Sequence, residues 1–193
     1  RWRCFYETIQ EGKPCKGHFD VEAKGVSVEE GVKLLDVFID CLQVELRSRW
    51  PKAEIECPGC FEPLILCGSR TSKGWWKASY HIILPKLVFK HNTGALKELA
   101  TSLAQCQELQ YRDKSKEGLN SFSFVDKTIY TRNRQFRLPL CWKLDDNSKT
   151  PFVFATQNPT LEDYKRAVIS DISSGGWLVP EAEKDVTLPK TSR

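Results

Sequence analysis

Apolar and polar positions alternate in two short stretches near the start, "CFYETIQ" (4–10) and "GHFDVEA" (17–23), with the turn-rich "EGKPCK" between them. Period-two alternation marks a strand with one buried face, so the two stretches predict a β-hairpin. In the second stretch Phe19 and Val21 face one layer, while Asp20 and Glu22 share the opposite face. Two carboxylates that close repel each other and need water, an arginine, a shared proton or a metal ion.

The period then changes. Ser27 with Glu30 three residues on forms a capping box, and Val28, Val32, Leu35, Ile39, Leu42 and Leu46 recur at three- and four-residue steps. They predict a helix whose apolar stripe lies on a sheet, with Gly31 weakening its first turn. After Pro51, "AEIEC" and "PLILCG" read as short strands, "SRTSKG" as a polar turn, and "WWKASYHIILP" as a strand rich in β-branched and aromatic residues. Asn92 or Thr93 caps a second helix with Leu96, Leu99, Leu103 and Cys106 on one side, and "NSFSFVDKTIYT" returns to alternation. Thr160 opens a last helix carrying Leu161, Tyr164, Val168 and Ile172. Strands and helices mix without a regular βαβ repeat, which points to an α+β fold.

A chain of 193 residues builds one good-sized core, or two small lobes sharing a sheet system. Its 40 % apolar and 28 % charged residues are those of an ordinary folded protein and argue against disorder or a coiled coil. No apolar run approaches the roughly 18 residues of a membrane-spanning helix, so no membrane partner is expected. The opening "RWRCFYETIQ" lacks an initiator Met and the character of a targeting peptide, so the chain is expected to begin inside a longer protein. The eight cysteines are scattered, and most read as reduced thiols of an intracellular compartment. "CPGC" (Cys57 to Cys60) with Cys67 raises a structural zinc site, but there is no second CxxC and zinc is not expected.

The net charge of +4 is modest, yet its distribution is uneven. From Pro63 to Lys97 there is no acidic residue while Arg70, Lys73, Lys77, Lys86, Lys90 and Lys97 accumulate; Lys127 to Lys143 is also acid-free and carries Arg132, Arg134 and Arg137. Such segments suit a polyanionic partner, or simply a solvated basic face. Within "KASYHIIL", Lys77, Ser79 and His81 alternate with Ala78, Tyr80 and Ile82 and share one strand face. A cation, a hydroxyl and an imidazole there match the needs of a triphosphate, although an exposed strand with a chance histidine has the same pattern. Asp126 supplies a third carboxylate between an apolar neighbour and a lysine, and its partner is either Arg132 or Arg134 or a divalent ion shared with Asp20 and Glu22.

These motifs together resemble the archaeo-eukaryotic primase superfamily, most closely the catalytic core of the eukaryotic primase-polymerases. D-x-E appears as Asp20 and Glu22 in "GKPCKGHFDVE", S-x-H as Ser79 and His81 in "KASYHII", and the final aspartate as Asp126 in "SFVDKTIYTRNRQFRL". The run trailing Asp126 is the most specific of the three. The resemblance implies a modified RRM-like sheet packed with a second α/β unit, the active-site cleft between them, in a single catalytic core spanning the chain; the tail "EAEKDVTLPKTSR" (181–193) reads by itself as a mobile end or a link to a further module. The resemblance implies Asp20, Glu22 and Asp126 as catalytic ligands of two Mg²⁺ or Mn²⁺ ions, and Lys77, Ser79, His81, Arg134, Gln135, Arg137 and Lys143 as nucleotide contacts. The partners implied are a single-stranded DNA template, a primer, a deoxy- or ribonucleoside triphosphate, and replication proteins beyond this stretch, in the nucleus or mitochondrion. No cysteine follows Cys141 to build the zinc module with which those relatives start primers, so extension is expected more than initiation.

The expected activity is template-dependent nucleotidyl transfer with pyrophosphate release, in a repriming or lesion-bypass role. Two rivals stay open. One is a catalytically silent nucleic-acid-binding domain using Arg70, Lys73, Trp75, Trp76 and Arg132 for phosphate contacts and stacking. The other is a metal-dependent nuclease in which the same acids activate water.

Overall fold

The computed structural model describes residues 4–116, 120–143 and 149–180. The expected mobile end, 181–193, lies outside the described residues. The chain runs β1 (Tyr6–Ile9), β2 (Cys15–Val26), α1 (Val28–Arg49), α2 (Ala53–Glu56), β3 (Leu64–Cys67), β4 (Arg70–Ser72) and β5 (Trp75–Phe89). It continues through α3 (Ala95–Gln105), β6 (Gln110–Arg112), β7 (Ser121–Ser123), β8 (Arg134–Arg137), β9 (Val153–Phe154), α4 (Leu161–Arg166) and β10 (Trp177–Leu178). This is a mixed α+β architecture with several antiparallel pairings and, among the described residues, four α-helices. No helix among them is long and apolar enough to cross a membrane.

The centre is β5. Along one edge it pairs antiparallel with β2, setting Asp20 opposite His81, Glu22 opposite Ser79 and Lys24 opposite Lys77. The short strands β4, β3 and β10 also pair with β5 along its length, and β9 continues outward from β3. On its free side β2 meets the strand-like residues 124–126: the Glu22 amide donates to the Phe124 carbonyl at 2.8 Å and the Asp126 amide to the Asp20 carbonyl at 2.9 Å.

The expected hairpin does not form. β1 pairs instead with β8, in the register Tyr6 to Arg137 and Ile9 to Arg134. The reason is an insertion: the Lys16 amide donates to the Ile169 carbonyl (3.0 Å), and the Ile169 and Ser170 amides donate to the Glu7 carboxylate (2.9 and 2.8 Å). A segment from late in the chain thus occupies the slot where a hairpin partner would lie.

The first helix begins as expected, with the Glu30 amide donating to Ser27 Oγ (3.1 Å) and the Ser27 amide to the Glu30 carboxylate (2.7 Å). Its buried face differs. Val28 and Val32 are exposed, and the inward line is Gly31, Phe38, Leu42 and Leu46. Phe38 packs edge-on against Phe19 at 5.5 Å, which places α1 on the sheet face away from Asp20 and Glu22. Gly31 explains the rotation: a Cβ there would stand 2.7 Å from the Cβ of Ala78, so the helix rests on β5 at that point. Gly31→Ala is therefore expected to destabilise the fold by about 1–3 kcal/mol despite the better helix propensity of alanine, because two stiff backbones must part. Chemical denaturation read by tryptophan fluorescence checks this.

Other elements depart from the sequence expectation. "AEIEC" folds as the helical turn α2, leaving Ile55 81 % exposed rather than pointing into a sheet. α3 starts at Gly94 with no side-chain cap, since Asn92 is buried and donates to the Ile129 and Thr131 carbonyls (3.2 and 3.1 Å). α4 has the expected Thr160 cap but stops at Arg166, so Val168 and Ile172 lie beyond it. The alternation in "NSFSFVDKTIYT" ends as a strand at Ser123, and residues 127–129 make a 3₁₀ turn capped by Asp126.

Candidate active site

Period-two geometry carries three β2 side chains, Asp20, Glu22 and Lys24, to the sheet face opposite α1, and the β5 register brings His81, Ser79 and Lys77 alongside them. Asp126 arrives from the other edge of β2, fixed by its own amide and by the Thr128 amide, which donates to its carboxylate at 2.8 Å. β8 closes the third side. These elements line one cavity of about 510 Å³. It contains Asp20, Glu22 and Asp126 together with Lys77, Ser79, His81, Arg134, Gln135, Arg137 and Lys143, so every residue expected at the acid site and at the nucleotide site lies on its wall.

Its electrostatics separate the three acids. Glu22 is held by Lys77 at 2.5 Å and Lys24 at 3.0 Å; burial works against its charge, but the lysines outweigh it and keep the carboxyl below its usual range. Asp20 is the opposite case. Burial first, then the charges of Glu22 and Asp126, push its carboxyl up to about 7, with Lys77 and Arg137 offsetting only part. Its Oδ1 is buried without a hydrogen-bond partner. Among the described residues Asp126 has no paired cation; Arg132, one of its two expected partners, is 77 % exposed and bonded to Glu11 at 2.9 Å.

A divalent ion suits this donor set. Asp20 offers an unpartnered oxygen beside Asp126, and a cation between two carboxylates removes the repulsion that raises the Asp20 pKa. Among the described residues no three His, Cys, Asp or Glu side chains form a ready metal group. Glu22, committed to two lysines, is the member that must turn to complete the expected set of three. Cys57 and Cys60 sit in one turn, the Cys60 amide donating to the Cys57 carbonyl at 3.0 Å, while Cys67 ends β3.

His81 forms the back wall. Its ring lies between Phe152 (3.7 Å between centroids, stacked) and Phe136 (4.1 Å), with Nε2 4.0 Å from Asp20. Burial, then the neighbouring Arg137 charge, drives its pKa well below the ordinary value, so the imidazole is neutral at pH 7. Arg137 also stands over the Phe152 ring at 4.9 Å, and the Nε atoms of Arg134 and Arg137 are buried without partners among the described residues. Unpaired buried guanidinium donors beside a cavity are anion acceptors in waiting.

The run "YTRNR" has a local explanation as well. The Tyr130 hydroxyl donates to the His18 carbonyl (2.8 Å), Asn133 takes a positive φ of 50° and accepts from the Glu11 amide (3.0 Å), and Arg132 pairs with that same Glu11. Three residues thus tie the turn to the end of β1 and to β2, and the turn delivers Arg134 to the cavity.

Sequence reasoning missed Tyr6, Lys24, Phe136 and Phe152 on the cavity wall. Lys24 was visible, being two positions beyond Glu22 in the same alternation; Phe152 gives no signal because only the fold brings it to His81. Arg70 lines the cavity too. Lys73, Trp75 and Trp76 line a separate groove of about 260 Å³ that shares Lys24 and Lys77 with the main cavity. Trp75 is 46 % exposed there, whereas Trp76 lies half-buried against the start of α1.

Compared with family models and with curated proteins, the chain matches none.

Proposed function

We propose that this chain is the core of a metal-dependent, template-directed nucleotidyltransferase of the archaeo-eukaryotic primase type. The observation that carries the reading is the cavity wall, where Asp20, Glu22 and Asp126 share the space with Lys24, Arg70, Lys77, Arg134, Arg137 and Lys143. A surplus of cations around a carboxylate pair fits a polyanion that brings or shares a metal ion, which is the character of a nucleoside triphosphate. The β2–β5–β3 sheet with α1 behind it is read as the RRM-like half, and the β1–β8 pair as part of the second unit, with the cleft between.

In this reading Asp20 and Asp126, joined by Glu22, would hold divalent ions, which would make a primer 3′-hydroxyl more acidic and neutralise phosphate charge. Arg134, Arg137 and Lys143 bind the β- and γ-phosphates, and Lys77 moves from Glu22 to the triphosphate when Glu22 turns to the acid pair. Ser79 offers a hydroxyl, and His81, neutral and clamped between two rings, offers a fixed donor or acceptor without a competing charge. The 3′-hydroxyl gives up its proton to solvent as its oxygen attacks the α-phosphorus, the bond from that phosphorus to the bridging oxygen breaks, and pyrophosphate leaves against the arginines. Template would pass the neighbouring groove, where Trp75 presents a face for base stacking.

The rivals explain less. A silent binding domain gains nothing from a carboxyl that burial and like charges make costly. A nuclease needs the acids but not a row of cations placed for a leaving pyrophosphate. Calorimetric titration of dNTP into the protein without DNA separates them: binding that requires Mg²⁺ or Mn²⁺ is expected, and its absence in both metals would favour the rivals. Arg137→Ala is expected to weaken that binding about 10- to 100-fold, the value of one charge-assisted phosphate contact.

A further inference from the structure

On the far side of the sheet, two thiols face each other. Cys41 Sγ, on α1, lies 3.7 Å from Cys106 Sγ, at the end of α3, and both residues are half-buried. The contact is set in a firm frame. One turn further along α1 and one turn back along α3, Ser102 Oγ donates to Glu45 at 3.3 Å, so the helices cross antiparallel with two side-chain contacts in register. Gln110 Nε2 donates to the carbonyls of Ala104 and Cys106 (2.9 and 3.1 Å), which holds the backbone under the second sulfur. Cys106 Sγ donates to the Glu108 carboxylate at 2.9 Å.

We propose that Cys41 and Cys106 form a reversible redox pair, closed by a peroxide-class oxidant into a disulfide that ties α1 to the end of α3.

The roles follow from the hydrogen bonds. Glu108 keeps the Cys106 proton in place, and that bond together with burial pushes the thiol up to about 11, so Cys106 is a poor first nucleophile. Cys41 is the sulfur that meets peroxide: its thiolate attacks one peroxide oxygen, the O–O bond breaks, and a sulfenic acid and hydroxide form. Cys106 then attacks the Cys41 sulfur; its proton passes through Glu108 to the departing hydroxide, which leaves as water. In sum two thiols lose two electrons and two protons, and one peroxide becomes two waters. Closing the bond brings the two sulfurs from 3.7 Å to about 2.05 Å. It would staple the scaffold behind the sheet, on the face away from the acid cavity, and so raise stability without touching the site.

The test is thiol mapping of the whole chain after reduction, brief treatment with hydrogen peroxide, alkylation and digestion. Expected is a linked pair of peptides carrying Cys41 and Cys106, about 2 Da lighter than the two reduced peptides combined, lost on adding dithiothreitol. The link should vanish in both Cys41→Ser and Cys106→Ser, and oxidation should raise the melting temperature of the wild type but not of either variant. A crosslink through Cys57 and Cys60 in its place, sulfinic acid at Cys41 with no link, or two free thiols after other cysteines have oxidised would each overturn the proposal. The wild-type map decides the matter even if a serine variant folds poorly.

Discussion

Asp20→Asn is expected to abolish nucleotide incorporation, by on the order of 10³-fold or more, while making the protein more stable at pH 8. The two effects have one cause. Asp20 is 24 % exposed, its Oδ1 has no partner, and burial with two neighbouring carboxylates pushes its pKa up to about 7. The sign follows from linkage: with a folded pKa above the unfolded value, the folded state binds more protons between about 4 and 7, so this group's contribution to stability falls as pH rises through that window. An amide of the same shape carries no charge to bury, and a gain of roughly 2 kcal/mol at pH 8 should result, shrinking to nothing near pH 4. Mg²⁺ or Mn²⁺ should raise the melting temperature of the wild type at pH 8 and leave Asp20→Asn unmoved; chelator should reverse the shift. Thermal melts across pH 4 to 8, with and without metal, read all of this at once.

Lys16→Met is expected to cost about 3 kcal/mol, lowering the melting temperature by roughly 6–10 °C, although the residue is remote from any chemistry. Lys16 is 1 % exposed, and its ammonium donates to the carbonyls of Lys165 (3.2 Å), Arg166 (3.1 Å) and Val168 (2.8 Å) at the end of α4. Methionine keeps the stem's volume but leaves three carbonyls without their donor. The loss should spread along a defined path. Residues 169 and 170 are also held by Glu7 on β1, and β1 pairs with β8, the strand that brings Arg134 and Arg137 to the cavity. Nucleotide affinity should therefore fall together with stability, and hydrogen exchange should quicken in β1 and β8 before it does in β5.

That path also marks where sequence reasoning stopped. The two acid and base faces were legible, since D-x-E and K-x-S-x-H are period-two patterns that a strand must resolve to one side. Their mutual register was not: nothing local says that Asp20 meets His81 and Glu22 meets Ser79. The hairpin was misread because the sequence neighbours of β1 looked sufficient, while its true partners lie more than a hundred residues away in β8 and at Ile169. The helix face was misread at Val28 and Val32 because hydrophobic spacing ignored Gly31, whose missing side chain decides how close α1 can come to Ala78. In the site, Phe136 in β8 and Phe152 just before β9, both around His81, had no sequence signature, since aromatic residues there are ordinary core material.

The measurement that bears most directly on the proposed activity is labelled dNTP incorporation on a primed single-stranded template, with Mg²⁺ and with Mn²⁺, comparing wild type with Asp126→Asn. Asp126 caps its turn through the Thr128 amide, and asparagine can accept that same bond, so the variant should fold. Metal-dependent primer extension that disappears in Asp126→Asn is the predicted result. A folded wild type that adds no nucleotide in either metal, or an Asp126→Asn variant that extends the primer as well as wild type, would contradict it.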